Sequence, residues 1–435
     1  MKILLISPAV DNTKRTVKGL MMPQLALYIL EGLTPLEHEV KIIEEEAEPL
    51  NFDEECDLVA ISCMTANAPR AYEVAKKFMT KGKTVVLGGV HPTILPDEAS
   101  QYCDCVVIGE AEGVWKTLLH DFQQGKLQKQ YHNPEPDLDE YVPKNFSRII
   151  QKRLFKMVPI MTTRGCPYDC DFCCVSDLFG KKIRHIPIKN ILKDIEESGA
   201  KNFMFLDDNI IGHPKYAKEL FTAIKPLKIK WVGQASLSFV KDTEMMQLAA
   251  DSGCKALFFG LESVSEAQMK TMRKTFKDVD ELEVALKAIK KMGILIHASM
   301  IFGFDNDTKD VFNDTVRFLI KQKISTVSFN VLTPYPGTKT YDDLKKAGRL
   351  LTDNWKYYDH NTVVFQPENM TPYELQCGKT HAREKFYKLS SVLRRLSGNM
   401  YSPVIYFATN YGHMQQTRVE SKRVRRLKTE LFDKC

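Results

Sequence analysis

Twice along this chain, short and nearly unbroken apolar runs alternate with stretches of helical period, and that rhythm restricts the fold more than any other feature. A run that is apolar at every position belongs to a strand covered on both faces. In the first part the runs are 2–7, 39–44, 57–62, 84–89 and 103–109, with amphipathic stretches at 24–32, 68–80 and after Pro96. This order predicts a doubly wound parallel sheet, which binds ligands beyond its carboxyl strand ends at the switch point. The rhythm returns six times later, at 157–164, 202–208, 229–235, 256–262, 295–303 and 326–334, separated by helical patterns such as 242–252, 278–292 and 308–322. Six strand–helix units predict a parallel barrel short of the usual eight. From Gln124 to about Met157 the pattern fades, and HNPEPDLDEYVPKNF reads as a connection. The expected organisation is α/β: a doubly wound sheet over 1–123, a linker over 124–156, an incomplete (β/α)6 barrel over 157–365, and a helical segment with a basic tail over 366–435.

Composition matters chiefly for what it excludes. With 44% hydrophobic and 27% charged residues, the 435-residue chain reads as globular, not disordered. The opening run MKILLISPAV is broken by Pro8 and Asp11, too short for a secretory signal, and no stretch approaches a membrane span. A cytoplasmic protein is expected. Its eleven cysteines are scattered, unlike a disulfide framework, which also favours a reducing compartment. Of the net charge of +6, residues 417–435 carry seven basic against three acidic side chains, or +4. Val424, Leu427 and Leu431 recur there at helical spacing, so the tail reads as a helix packed by its apolar edge, with peripheral contact to anionic lipid or nucleic acid as the less favoured use.

The sharpest chemical signal is TTRGCPYDCDFCC, residues 162–174, at the end of the first barrel strand. Cys166, Cys170 and Cys173 form CxxxCxxC, and three thiolates so close in sequence can wrap only one metal centre. Zinc would require a fourth ligand, and none lies at suitable spacing; Cys174 adjoins Cys173, and neighbouring side chains diverge. Three thiolates on a four-iron cluster leave one iron open.

With Phe172 before the third cysteine, this motif resembles that of the radical S-adenosylmethionine superfamily. The resemblance implies a 4Fe–4S cluster whose open iron binds S-adenosylmethionine and cleaves it to a 5′-deoxyadenosyl radical. It implies further cofactor contacts at successive strand ends: Asp207 and Asp208 of FLDDN for the methionyl amine, Glu262 and Ser263 of GLES near the ribose, and Gly303 of MIFGF close to the adenine. LTPYPGT, residues 332–338, is a proline-rich turn typical of one branch.

In the first part, AISCMT (60–65), TVVLGGVHPTILPDE (84–98) and CDCVVIGEAE (103–112) resemble the cobalamin-binding domain fused to many such enzymes. Ser62, Thr65, Gly88 and Gly89 are the positions this implies for cobalamin. The DxHxxG motif of the cobalamin mutases is absent from SPAVDNTKRTVKGL, so the lower axial ligand is unassigned. His91, after a Gly-Gly turn, is a cobalamin-side candidate and more readily a loop organiser. Cys56, Cys63, Cys103 and Cys105 read as buried small hydrophobes, Cys254 and Cys377 stay open, and His297 reads as a core histidine.

The expected activity is cobalamin-dependent methyl transfer to an unactivated carbon of a small, apolar molecule. A radical cyclase or rearranging enzyme without methyl transfer is the alternative, and a non-catalytic iron–sulfur or cobalamin sensor a weaker third. Such chemistry calls for an electron donor such as flavodoxin or ferredoxin, and no nucleic-acid partner is expected. The aromatics Trp355, Tyr357, Tyr358, Tyr387, Tyr401, Tyr406 and Phe407 could line an apolar pocket, with ordinary packing the simpler account.

Overall fold

The apolar runs become strands in a computed structural model that describes residues 1–11, 22–133, 135–151, 156–265, 268–269 and 278–434. The first sheet comprises β1 (Lys2–Ser7), β2 (Glu39–Glu44), β3 (Leu58–Ser62), β4 (Thr84–Gly88), β5 (Cys105–Gly109) and β6 (Gln130–Asn133). Its order is β2-β1-β3-β4-β5-β6, every pair parallel. Alternate residues serve two cores: Leu4, Ile6, Val59 and Leu87 pack with helix Ala68–Met79, whereas Ile3, Leu5, Ala60 and Val107 pack with Leu27, Trp115 and Leu118. Each such side chain contributes about 1.5–3 kcal/mol by burial. The order reverses between β1 and β3, where Asn67 Nδ2 donates to Pro8 O at 2.8 Å and holds the two strand exits together. The absent DxHxxG position falls largely outside the described residues.

One strand was not foreseen. β6 lies in the stretch without a periodic pattern, and its sequence QYHN has only Tyr131 to bury. Pairing makes it a strand: β5 supplies the ladder, and Tyr131 Oη reaches Asp121 at 2.6 Å.

The second sheet contains β7 (Met157–Ile160), β10 (Asn202–Phe205), β11 (Lys230–Ala235), β12 (Cys254–Glu262), β13 (Leu295–Phe302) and β14 (Thr326–Val331), in the open order β14-β13-β12-β11-β10-β7, all parallel. Between β7 and β10 come β8 (Thr163–Arg164) and β9 (Arg184–His185), a short antiparallel pair. Helix starts follow the local chemistry: Asp242 and Asp278 accept from the Met245 and Glu281 amides at 2.9 Å.

An open sheet leaves edges, and the C-terminal helices cover that of β14. Tyr387 Oη accepts from the Val327 amide at 2.8 Å and donates to the Val327 carbonyl at 2.6 Å. Arg395, fully buried, donates to the carbonyls of Ile324, Ser325 and Phe386 and to Asn410 Oδ1, its guanidinium 3.7 Å above the Phe386 ring. Burial lowers its pKa to about 10. The basic tail is the second half of helix Pro403–Glu430, and Val424, Leu427 and Leu431 are turned inward, so that apolar edge is spent on packing. Among the described residues no helix is long and apolar enough to cross a membrane.

Candidate functional site

The cysteine loop leaves β8 and returns through β9, whose pairing of Thr163 with His185 and Arg164 with Arg184 ties the loop shut at its root. Gly165 makes the closure possible: at φ 92° its missing Cβ would lie 2.8 Å from Lys182 O and 2.9 Å from Gly180 O. Within the loop Cys173 N donates to Cys170 O at 2.9 Å, and the amide and hydroxyl of Thr340, past β14, both donate to Asp171 O at 2.9 Å. Phe172 meets Phe304 edge-on at 6.2 Å. Cys166, Cys170 and Cys173 stand outside any disulfide and are partly buried. Burial pushes the Cys173 thiol up to about 12 and raises that of Cys166. Among the described residues no three His, Cys, Asp or Glu side chains are drawn into one coordination shell. The donors nonetheless fit a three-thiolate centre: all three sit on one short, root-locked loop, and Cys170 acts electrostatically on both Cys166 and Cys173.

The two aspartates after β10 part company. Asp207 is buried; its Oδ1 accepts from the Thr162 amide and hydroxyl (3.1 and 2.7 Å), the Thr163 hydroxyl (2.6 Å) and the Thr163 amide. It braces the corner from which the cysteine loop departs, and its Oδ2 is left without a partner. Asp208 faces the thiols: burial, then the neighbouring Asp207, pushes it up to about 6, and its charge in turn raises Cys166, Cys173 and Cys174. Asp207 is thus engaged by the chain's own groups, and Asp208 is the one of the pair whose charge acts on the thiols.

At the end of β12 a register shift between Gly260 and Glu262 breaks the ladder, and Glu262 adopts φ 62°. Its carboxylate folds back over Gly260, where a Cβ would lie 2.3 Å from Glu262 Oε1. Bulges and left-handed non-glycine residues concentrate at functional sites. Ser263 is buried in the following turn, its hydroxyl accepting from the Ser265 amide at 3.1 Å. Gly303 follows β13 in a conformation that favours glycine. At φ 104° its vacant side is filled by Leu375 and Phe365, 2.8 and 3.0 Å from a Cβ position, so the space serves protein packing. Beyond β14, Tyr335 donates to Tyr358 O at 3.2 Å, and its ring lies 5.1 Å from that of His360. His360 has φ 60°, and its carbonyl accepts from the Val331 amide at 2.9 Å. Desolvation lowers its pKa. His297, by contrast, is a satisfied core residue: its ring nitrogens meet Thr326 and Ser328 hydroxyls at 2.8 and 2.9 Å, and burial lowers it to about 3.

In the first sheet, Ser62 is half-buried at the end of β3, and Gly89 at φ 97° packs onto Cys63 and Ser62, 2.8–3.0 Å from a Cβ position. Gly88 has room only for ordinary contact with Val107. His91 is fully buried, with Nδ1 3.4 Å from Thr65 Oγ1 and Nε2 3.3 Å from Glu98, so it organises the loop and offers no nitrogen to a metal. Cys56, Cys63, Cys103, Cys105 and Cys254 are all buried.

Two sets of contacts, neither anticipated, join the carboxyl ends of the two sheets. Glu98 accepts from Tyr72 Oη at 2.9 Å and from Trp355 Nε1 at 3.0 Å, and Trp355 stacks edge-on to His91 at 5.5 Å. Glu110, at the exit of β5, pairs with Arg164 and Arg184 at the root of the cysteine loop, and Arg164 also pairs with Glu112. Glu110 and Arg164 are both 6% exposed. The only sequence signal was an acidic GEAE at one strand end and an arginine before the first cysteine at another, 54 positions apart. Of the aromatics named for a pocket, Tyr358, Tyr387 and Tyr406 are buried in packing, while Tyr401 and Phe407 are exposed.

Comparison with known proteins agrees with this architecture. Residues 160–319 match the family model of the radical SAM superfamily, and residues 14–119 that of the B12 binding domain. The bacteriochlorophyllide d C-12(1)-methyltransferase of Chlorobaculum tepidum is 32% identical over 91% of this chain and 90% of its own length. The bacteriochlorophyllide d C-8(2)-methyltransferase of the same organism is 30% identical over 87% and 88%. Among solved structures, the radical S-adenosylmethionine methyltransferase TsrM from Kitasatospora setae, with cobalamin and a [4Fe-4S] cluster bound, superposes with a TM-score of 0.71 at 13% identity, covering 97% of this chain and 99% of that one. A three-cysteine loop at the first barrel strand, a second parallel sheet facing it, and these relatives converge: the chain belongs to the radical S-adenosylmethionine superfamily, in the branch that carries an N-terminal cobalamin-binding domain.

Proposed function

We propose that this enzyme methylates an unactivated carbon of a small, largely apolar molecule held between its two sheets. The observation that carries the reading is the junction of their carboxyl ends by Glu110, Arg164 and Arg184, which sets the cobalamin-side loops over the barrel mouth. Methyl transfer is the activity of both bacteriochlorophyllide relatives, each covered over most of its length. When bound, the cluster and S-adenosylmethionine supply a 5′-deoxyadenosyl radical, and cobalamin supplies the methyl group.

The chain's own residues do the rest. Cys166, Cys170 and Cys173 hold the cluster, and the β8–β9 pair fixes their loop. Asp208 receives the ammonium of S-adenosylmethionine, a carboxylate being suited to that group, while Asp207 holds the corner beneath it. Glu262 and Ser263 border the ribose, and Phe172 closes the apolar side of the loop. Ser62, Thr65, Gly88 and Gly89 shape the cobalamin side. We assign Tyr335 and His360, whose rings lie 5.1 Å apart beyond β14, to the substrate side. The buried interdomain ion pairs keep water from the space between the sheets. We place the first domain limit after β6, at residue 133, and assign reduction of the cluster to a flavodoxin- or ferredoxin-like donor.

A radical cyclase is the second reading, favoured by 24% identity over 76% of this chain to the anaerobic magnesium-protoporphyrin IX monomethyl ester cyclase of Cereibacter sphaeroides. The test is anaerobic reconstitution with S-adenosylmethionine labelled in its methyl group, using chlorin and other apolar acceptors. Label in product supports methyl transfer; turnover to unlabelled product, with 5′-deoxyadenosine formed, supports the cyclase reading. Cys170→Ala is expected to abolish 5′-deoxyadenosine while leaving the far-ultraviolet spectrum unchanged; production retained by that variant would overturn the cluster assignment.

A further inference from the structure

The structure leaves one long surface uncovered by protein, the outward face of helix Pro403–Glu430. That helix turns Tyr406, Asn410, Thr417, Val424 and Leu427 inward. On the opposite side Val404, Phe407 and Tyr411 are 80, 43 and 64% exposed, spaced at i, i+3 and i+7. Arg418, Lys422 and Arg425 continue the same stripe and are also exposed. Leu393 of helix Leu389–Leu396 and Met400 in the turn between the helices add further exposed apolar surface. From residue 389 to residue 419 there is no acidic side chain at all. The face is therefore apolar and aromatic in its first half, cationic in its second, and without negative charge along the outward stripe.

We propose that this face docks the enzyme onto the surface of an anionic lipid bilayer. The reasoning turns on what can satisfy both halves at once. A second copy packed parallel would set Arg418, Lys422 and Arg425 against their own counterparts, and packed antiparallel would press them onto Val404 and Phe407. Nucleic acid would engage the cations and leave Val404, Phe407 and Leu393 in water. A bilayer surface presents phosphates with the acyl boundary roughly 5–10 Å beneath them, so the apolar half of the stripe can insert while the long Arg and Lys side chains of the other half stay among the phosphates. Tyrosines favour the headgroup depth, where Tyr411 stands. The helix, 28 residues long, spans about 42 Å along that surface. Its basic end also reaches the barrel: Arg423 donates to Asp359 at 2.6 Å, next to His360. The docking surface itself is independent of the catalytic reading.

The test is co-sedimentation of the full-length, anaerobically reconstituted enzyme with vesicles of phosphatidylglycerol and phosphatidylcholine in equal parts, against vesicles of phosphatidylcholine alone. The parent is expected to pellet with the anionic vesicles and to be released by salt. Arg418→Gln and Lys422→Gln are each expected to lower partitioning about fivefold, the effect of one basic residue at such a surface. Phe407→Ser is expected to weaken binding even at low salt, because it removes inserted apolar area. All three side chains are exposed, so iron content and unfolding midpoint are expected to match the parent. No pelleting of the parent with anionic vesicles would overturn the proposal. So would a dimer in sedimentation velocity that Phe407→Ser dissociates while vesicle binding is unchanged, or binding of duplex DNA in preference to vesicles.

Discussion

Replacing Glu110 by glutamine tests whether the two sheets act as one site. The substitution keeps size and shape but withdraws the charge shared by two guanidinium groups. Arg164 keeps Glu112, and Arg184 keeps only a carbonyl contact with Pro136 at 3.4 Å. Removing one partner of a buried ion pair costs about 3–5 kcal/mol; the lower figure applies here because Glu112 stays. At about 1.4 kcal/mol per tenfold, some 3 kcal/mol shifts the joined-to-parted equilibrium of the strand ends by about a hundredfold. Glu110 is the residue to change because Arg164 lies two positions from Cys166. A double-mutant cycle with Arg164→Met, read by urea unfolding, is expected to return a coupling above about 1 kcal/mol. The glutamine variant is expected to retain its iron, to lose cobalamin more readily and to turn over more slowly. A cycle that closes within about 0.5 kcal/mol, with cobalamin retention unchanged, would refute the argument.

His360→Gly is expected to stabilise the fold by about 1 kcal/mol, because glycine accepts the left-handed conformation freely, while lowering turnover through loss of the ring on the substrate side. Thermal unfolding and product formation on the same sample separate the two effects. Asp307 caps Gly303 and Phe304 at 2.8 and 3.1 Å, and burial pushes it up to about 6 from 3.8. Its folded pKa is raised, so its contribution to stability is whole below about pH 4 and is lost as pH climbs through 6. The loss comes to about 3 kcal/mol, and Asp307→Asn is expected to flatten that part of a urea-midpoint-against-pH curve. Tyr387→Phe strips the cap from the Val327 amide and carbonyl; it is expected to cost about 1–3 kcal/mol and to speed amide exchange at Val327, measured by mass spectrometry.

What could be read from the chain was what is local. The strands announced themselves by continuous burial, and Asp242 and Asp278 marked helix starts because a cap acts within one turn. The cysteines were legible because all three ligands lie within eight residues. Where a side chain's role depends on distant partners, the reading failed or stopped short. Asp207 and Asp208 are adjacent in FLDDN, and only the turn after β10 sends one under Thr162 and Thr163 and the other toward the thiols. His91 read more readily as a loop organiser than as a ligand, but its partners Glu98 and Trp355 come together over it only in three dimensions. Gly303 showed in the sequence only as a strand-end glycine, and that Phe365 and Leu375 pack on its vacant side depends on residues 62 and more positions away. β6 carries too little apolar signal to be found without its neighbour, and His360 is singled out by a backbone angle that no residue pattern encodes.

The capping of β14 by Tyr387, Arg395 and Asn410 also bears on how the protein is made. Synthesis proceeds from the amino end, so the edge of β14 leaves the ribosome well before the helices that cover it. Asn410 follows Val331 by 79 positions, or roughly 4–16 s of elongation at about 5–20 residues per second. Until the helices that carry Tyr387, Arg395 and Asn410 have all emerged, the nascent chain displays a strand edge able to recruit other chains, which makes those three helices an obligatory terminator of sheet growth.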